Sequence, residues 1–219
     1  LNYKDLSNNS IGLIFKNNDK FKPNSDYFLI DFTRKKLMTP NSIVHYYAWD
    51  RDFHTINTKI KYIKHLQKLK ANGIKIVCQT DFSAWYWEYS ERKAAIKKNF
   101  EYLEIANKLG FELILNFNNI FADDVDNWKE QIKDAKTCIF DFNHKESKYA
   151  ELEFNALRKL LSIAKINLFL VKTNKRSIPK EYNAFFSLLR ESNIRIEFLP
   201  TEMSILEIRK KKYYNENSK

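Results

Sequence analysis

Five residues able to ligate a cation or move a proton recur at one kind of place in this sequence. Asp31, Asp50, Asp81, Asn116 and Asp141 each stand at or just past the end of a separate apolar run. Carboxylates gathered at one mouth repel each other, which raises some of their pKa values unless a cation or a basic substrate neutralises them. Converging oxygen ligands suit Mg²⁺ or Mn²⁺, and an ion of that kind supports phosphodiester chemistry. Asp50, Asp81 and Asp141 are therefore the candidate catalytic carboxylates and metal ligands, with Asn116 orienting a substrate. A plainer role competes: Asp and Asn also cap helices that follow strands, so one per loop is expected.

Other reactive side chains point to less. Asp50-Arg51-Asp52-Phe53-His54 and Asp141-Phe142-Asn143-His144 set an imidazole near carboxylates, but neither run matches a ligand motif, and surface or capping roles account for both. His65 falls on a helix and His45 inside a strand, where packing is the simpler account. Cys78 and Cys138 lie alone within apolar runs and read as buried free thiols rather than zinc ligands. The three glycines, Gly12, Gly73 and Gly110, are isolated. A Walker-type loop and a dinucleotide fingerprint need clustered glycines, so no nucleotide cofactor is expected. The G-x-S-x-G elbow, H-E-x-x-H and the kinase signatures are absent too.

The chain carries 38 Lys and Arg against 27 Asp and Glu, a formal charge of +11. Such an excess favours nucleic acid as a partner, or less often an anionic membrane surface. The abundance of Lys, Asn, Ile and Tyr is also what an AT-rich genome encodes. Basic groups cluster in the turn Arg34-Lys35-Lys36 and in Arg209-Lys210-Lys211-Lys212 near the carboxyl end. Trp85-Tyr86-Trp87-Glu88-Tyr89 follows Asp81-Phe82-Ser83, so Trp85 and Trp87 fall on the same rim. Aromatics beside a basic surface stack on unpaired bases, and such a cluster equally forms a protein interface. No apolar run approaches the length of a membrane span, so no membrane partner is expected.

Bringing these residues together requires strands. Apolar runs at 27–32, 42–49, 74–78, 111–117, 137–142, 166–172 and 194–199 are strand-sized and nearly continuous, as in a sheet covered on both faces. Between them, apolar residues recur at helical spacing: Ile56, Ile60, Ile63, Leu66 and Leu69, then Ile96, Phe100, Leu103 and Leu109, later Phe154, Leu157, Leu160 and Leu161. A shorter helix is expected around 126–135. Pro179 suits a helix's first position, with Phe185, Phe186 and Leu189 facing the core. Gly73 and Gly110 close two helices. Five strands thus arrive directly after a helix, which implies a parallel sheet. The pattern predicts a single α/β domain over 1–219 with a short basic tail from about residue 208. Its architecture is an incomplete or distorted β/α (TIM-like) barrel, with a doubly wound open sheet as the alternative. In both, sites form beyond the carboxyl ends of the strands.

The run Val44-His45-Tyr46-Tyr47-Ala48-Trp49-Asp50, a helix, and then Thr80-Asp81-Phe82-Ser83 resembles the family named domain of unknown function 4417. That family occurs in phages, plasmids and bacterial genomes. It has an aromatic strand that begins with His and ends in acidic residues, then a strand ending in Pro-Asp-Phe-Ser. Ile139-Phe140-Asp141-Phe142 and the helix leading into Leu168-Phe169-Leu170-Val171 sit where the family has comparable elements, so the resemblance spans residues 26–175. Thr80 stands where the family has Pro, Arg51 splits the acidic pair, and the Trp after the fourth strand is missing. The resemblance implies a mobile-element setting and points to Asp50 and Asp81; it carries no activity with it.

Together these features lead us to expect a cytoplasmic protein (in the host cytoplasm if phage-encoded) that acts on nucleic acid. It would be a Mg²⁺- or Mn²⁺-dependent phosphodiester hydrolase or a replication accessory factor. The alternative is a non-catalytic module that binds protein or nucleic acid through the aromatic rim and the tail. A barrel enzyme acting on a small molecule is the third reading, because this fold class hosts many chemistries.

Overall fold

A computed structural model of the chain describes residue 15 and residues 28–46, 54–82, 89–118, 121–142, 147–173 and 178–199. Seven strands run parallel: β1 (Phe28–Asp31), β2 (Ser42–His45), β3 (Ile76–Cys78), β4 (Glu112–Asn116), β5 (Thr137–Asp141), β6 (Leu168–Lys172) and β7 (Arg195–Leu199). They pair in chain order from β1 to β7, and the sheet curls into a half-barrel. The helices are α1 (Lys59–Ala71), α2 (Tyr89–Lys108), α3 (Ala122–Asn127), α4 (Lys129–Ile132), α5 (Ala150–Ile163) and α6 (Asn183–Glu191).

Strand alternation sorts the core into two clusters. Val44, Val77, Leu113, Leu115, Phe140, Phe169 and Val171 pack with the buried faces of the helices. Leu29, Ile43, Ile76, Cys78, Ile114, Ile139, Leu168, Leu170 and Leu199 form a second cluster that contains no helix residue. A doubly wound sheet has a point where strand order reverses and helices on both faces. Neither is present among the described residues. The arrangement is that of a β/α barrel left open between its last strand and its first.

Local chemistry explains where the helices stop. Gly73, Gly110 and Asn193 take left-handed backbone, with φ of 75°, 79° and 56°. The residue after each donates its N–H back across the helix end, Ile74 to Leu69, Phe111 to Ala106 and Ile194 to Leu189, at 3.0–3.1 Å. Three junctions thus use one Schellman closure, which satisfies carbonyls that a helix end leaves open. At the other end of α1, Thr58 Oγ1 accepts from the N–H of Lys61 at 3.3 Å. Lys70 reaches from α1 to the carbonyl of Leu109 at 2.7 Å, placing a cation at the negative end of α2.

The crossovers are not all alike, and two of them differ from the sequence-based expectation. The first crossover, residues 32–41, has a 3-10 turn at Lys35–Leu37, in keeping with the basic turn expected there, where the later crossovers have α-helices. The helix expected at 126–135 is two shorter pieces, α3 and α4, broken at Trp128, whose ring stacks on Phe100 at 4.5 Å. Pro179 precedes a 3-10 turn, Lys180–Tyr182, that leads into α6. Phe185 and Phe186 then meet Phe117, Phe140, Phe142 and Phe169 at centroid separations of 5.1–6.0 Å. Each such side chain contributes about 1.5–3 kcal/mol by leaving water.

One buried titratable group tests this packing. His65 lies on the inner face of α1 against Phe32, Tyr46 and Tyr62, with ring centroids 5.9–6.4 Å away. Its Nε2 has no hydrogen-bond partner among the described residues. Burial first, and then the charges of Lys35 and Lys68, bring its pKa from 6.5 down to about 4. The folded imidazole stays neutral where the unfolded one takes a proton. Its contribution is therefore intact above pH 6.5 and is lost as pH falls towards 4. The loss is about 3 kcal/mol. Urea titrations at pH 7 and pH 4.5 should show His65→Phe losing less stability across that window than the parent; equal losses would disprove the account.

Candidate functional site

The carboxyl ends of the strands carry a polar row. Leu29, Ile43, Ile76, Ile114, Ile139 and Leu170 belong to the helix-free cluster. Side chains two residues further along a strand share its face. Asp31, His45, Cys78, Asn116, Asp141 and Lys172 therefore top that face on six successive strands. Three of the residues expected at one mouth, Asp31, Asn116 and Asp141, are brought to the same side of the sheet. His45 and Lys172 join them unanticipated.

Register and hydrogen bonds knit the middle of this row. Asp141 pairs with Lys172 across β5 and β6, and Lys172 Nζ donates to Asp141 Oδ2 at 3.1 Å. Both are buried, at 5% and 9% exposure. The Asp141 N–H donates to Asn118 Oδ1 at 3.1 Å, and the Asn118 N–H donates to Asn116 Oδ1 at 2.8 Å. The Asn116 N–H donates in turn to Gln79 Oε1 at 3.3 Å. A continuous polar chain thus runs from the end of β3 to the end of β6. Burial pushes the Cys78 thiol up, and the Lys172 ammonium offsets part of that rise.

The remaining carboxylates divide. Asp31 Oδ1 accepts from the N–H of Thr33 at 2.8 Å and from the Thr33 hydroxyl, so it braces the turn that follows β1. That is the plainer, capping role. Asp81 is partly exposed just past β3, in a segment held by Asn99. Asn99 Oδ1 accepts from Thr80 Oγ1 at 2.9 Å and from the Phe82 N–H at 3.0 Å, and its amide donates to the Phe82 carbonyl at 3.4 Å. Asp50 lies outside the described residues. Among the described residues, no group of three or more His, Cys, Asp or Glu is placed to hold a metal ion. As arranged, Asp141 faces an ammonium, and a divalent ion at Oδ2 requires Lys172 to move away.

A second charged feature lies on the helix side. Arg34, Lys35 and Lys36 are exposed on the first crossover, and Lys61, Lys64 and Lys68 are exposed on α1. Phe32, which leads into the turn, packs edge-on against His65 of α1 at 6.0 Å, so the turn and the helix lie side by side. The α1 lysines were not among the sequence candidates. A signal for them exists: residues 53–80 contain six Lys and no Asp or Glu. Trp85, Trp87, Arg209, Lys210, Lys211 and Lys212 lie outside the described residues. No helix among those described is long and apolar enough to cross a membrane.

The buried pair carries a measurable coupling. Lys172→Met leaves the Asp141 carboxylate buried without its ammonium, and Asp141→Asn leaves the ammonium without its carboxylate. Each single change should cost about 3–5 kcal/mol, and the double variant should cost clearly less than their sum. Denaturant unfolding of the four proteins reads the cycle; additive losses would show that the pair is not coupled.

The sequence matches no protein-family model and no curated protein. The meaning of these two features thus rests on their own chemistry.

Proposed function

We propose that this protein acts on nucleic acid, in the setting of a phage or other mobile element, and holds phosphates on the basic flank made by the first crossover and α1. The observation that carries this reading is that the exposed Arg34-Lys35-Lys36 turn lies beside α1 and its exposed lysines, through the Phe32–His65 contact. A lysine-rich surface attracts a polyanion and gains affinity by releasing its counterions. Trp85, Trp87 and the tail residues Arg209, Lys210, Lys211 and Lys212 are further candidates for touching the strand in this proposal. The resemblance to domain of unknown function 4417 supports the mobile-element setting.

Whether chemistry accompanies binding turns on Asp141. A metal-dependent phosphodiester hydrolase needs Asp50, Asp81 and Asp141 around Mg²⁺ or Mn²⁺, with Asn116 orienting the substrate. The ion pair with Lys172 disfavours an ion at Asp141, and so favours the non-catalytic nucleic-acid-binding module.

Fluorescence anisotropy with labelled DNA and RNA across a salt series tests the first part. Substituting Lys35, Lys64 and Lys68 together by Gln should weaken binding. The slope of log affinity against log salt should also become shallower, by about 0.9 for each duplex phosphate that the variant no longer neutralises. Unchanged affinity and slope would overturn the proposal. Incubation with Mg²⁺ or Mn²⁺ tests the second part. Cleavage that disappears in a folded Asp81→Ala variant restores the hydrolase reading, whereas metal-free binding that survives Asp81→Ala supports the module.

A further inference from the structure

Two clefts meet between α1 and α2, at the ends of the helices that follow the strand carboxyl termini. One, of about 350 Å³, is lined by Asn57, Lys59, Ala94, Lys97, Lys98, Glu101 and Tyr102. Its neighbour, of about 380 Å³, adds Phe82, Glu91 and Ala95 and shares Ala94 and Lys98. Both volumes fall in the range that holds a small organic ligand. The lysine at their junction has an unusual setting. Lys98 Nζ sits 3.8 Å above the Phe82 ring centroid and 5.6 Å from that of Tyr102. Burial pulls its pKa down, with Glu101 opposing the shift. Its contacts are with ring faces. By comparison, Lys59 is ion-paired to Glu101 at 3.1 Å and Lys70 holds the Leu109 carbonyl.

We propose that this cleft takes one unpaired nucleotide, and so makes the basic flank a reader of single-stranded rather than duplex nucleic acid. The inference rests on the nucleic-acid reading above and deepens it. Ring faces stabilise the Lys98 ammonium but leave its N–H donors for an anion, and a phosphate oxygen supplies both charge and acceptors. Lys97, exposed beside it, adds a second cation. Three lysines against two glutamates leave the lining with a net positive charge. Ala94, Ala95 and Phe82 give an apolar wall for a flat base, and Glu91 is an acceptor for base N–H groups. A base must leave its stack to enter such a space, which an unpaired strand allows at low cost and a duplex does not. The cleft reaches the flank at the amino end of α1. Lys61 Nζ binds Asn57 Oδ1 at 3.3 Å at the cleft edge.

The test uses the full chain with oligo(dT) and a blunt duplex of equal length, at one salt concentration. Lys98→Met keeps the stem over Phe82 and removes the ammonium, whereas Ala94→Leu narrows the cleft without changing charge. Each should weaken oligo(dT) binding about tenfold and leave duplex binding unchanged, with folding checked by circular dichroism. The inference is overturned if oligo(dT) affinity is unchanged in both variants, or if both substrates weaken equally, while the Lys35, Lys64 and Lys68 substitutions still reduce binding. If those flank substitutions have no effect either, the nucleic-acid reading itself fails, and the cleft proposal with it.

Discussion

Parallel strands laid side by side in chain order can be joined only by crossovers that climb back over the sheet. Crossovers of this kind are overwhelmingly of one hand. With no reversal in the order from β1 to β7, every helix must fall on the same side. Among the described residues the other side has no helix to cover it and buries its side chains by curling upon itself. This division is why the apolar residues of each strand split between two clusters, and why only one of them contains helix residues. It also decides where polar groups can stand. Along the strands, Leu29, Ile43, Ile114, Ile139 and Leu170 fill the concave face, and the position two residues on is the last before the chain leaves the sheet.

Those last positions impose an electrostatic problem. Asn116, Asp141 and Lys172 are nearly as buried as the apolar residues beneath them. A buried polar group without a partner costs on the order of 1–3 kcal/mol, and a charge costs more. The chain from Gln79 through Asn116 and Asn118 to Asp141 and Lys172 meets that cost with one bond per strand end. An apolar pair of similar volume would hold β5 and β6 together as well or better. The ion pair is thus weak as a stabiliser and informative as a placement, since it fixes one cation where the field of the concave face reaches Cys78.

The alternation of strands and helices was legible because each strand is a short apolar run and each helix an apolar stripe. Asn116 and Asp141 were legible as strand-end residues for the same reason. Lys172 was not. It closes the run that begins at Ile166 and reads as an ordinary strand terminus until the register sets it against Asp141. His45 reads as packed within its strand, and only parity with Ile43 places it in the polar row. The break at Trp128 is tertiary in origin, because stacking on Phe100 overrides a continuous helix. The basic flank joins a turn and a helix some thirty residues apart, a proximity no local pattern contains.

The two charged features face opposite sides of one sheet. Lys35, Lys64 and Lys68 stand on the helix-covered side, while Asp141 and Lys172 top the concave side. The rim formed by the strand carboxyl ends lies between the flank and the polar row. Asp81 and Phe82 are on that rim, pinned by Asn99 from α2, and Phe82 is also the ring beneath Lys98. The Asn99 bonds thus hold in one segment the Asp81 carboxylate and the aromatic floor of the cleft.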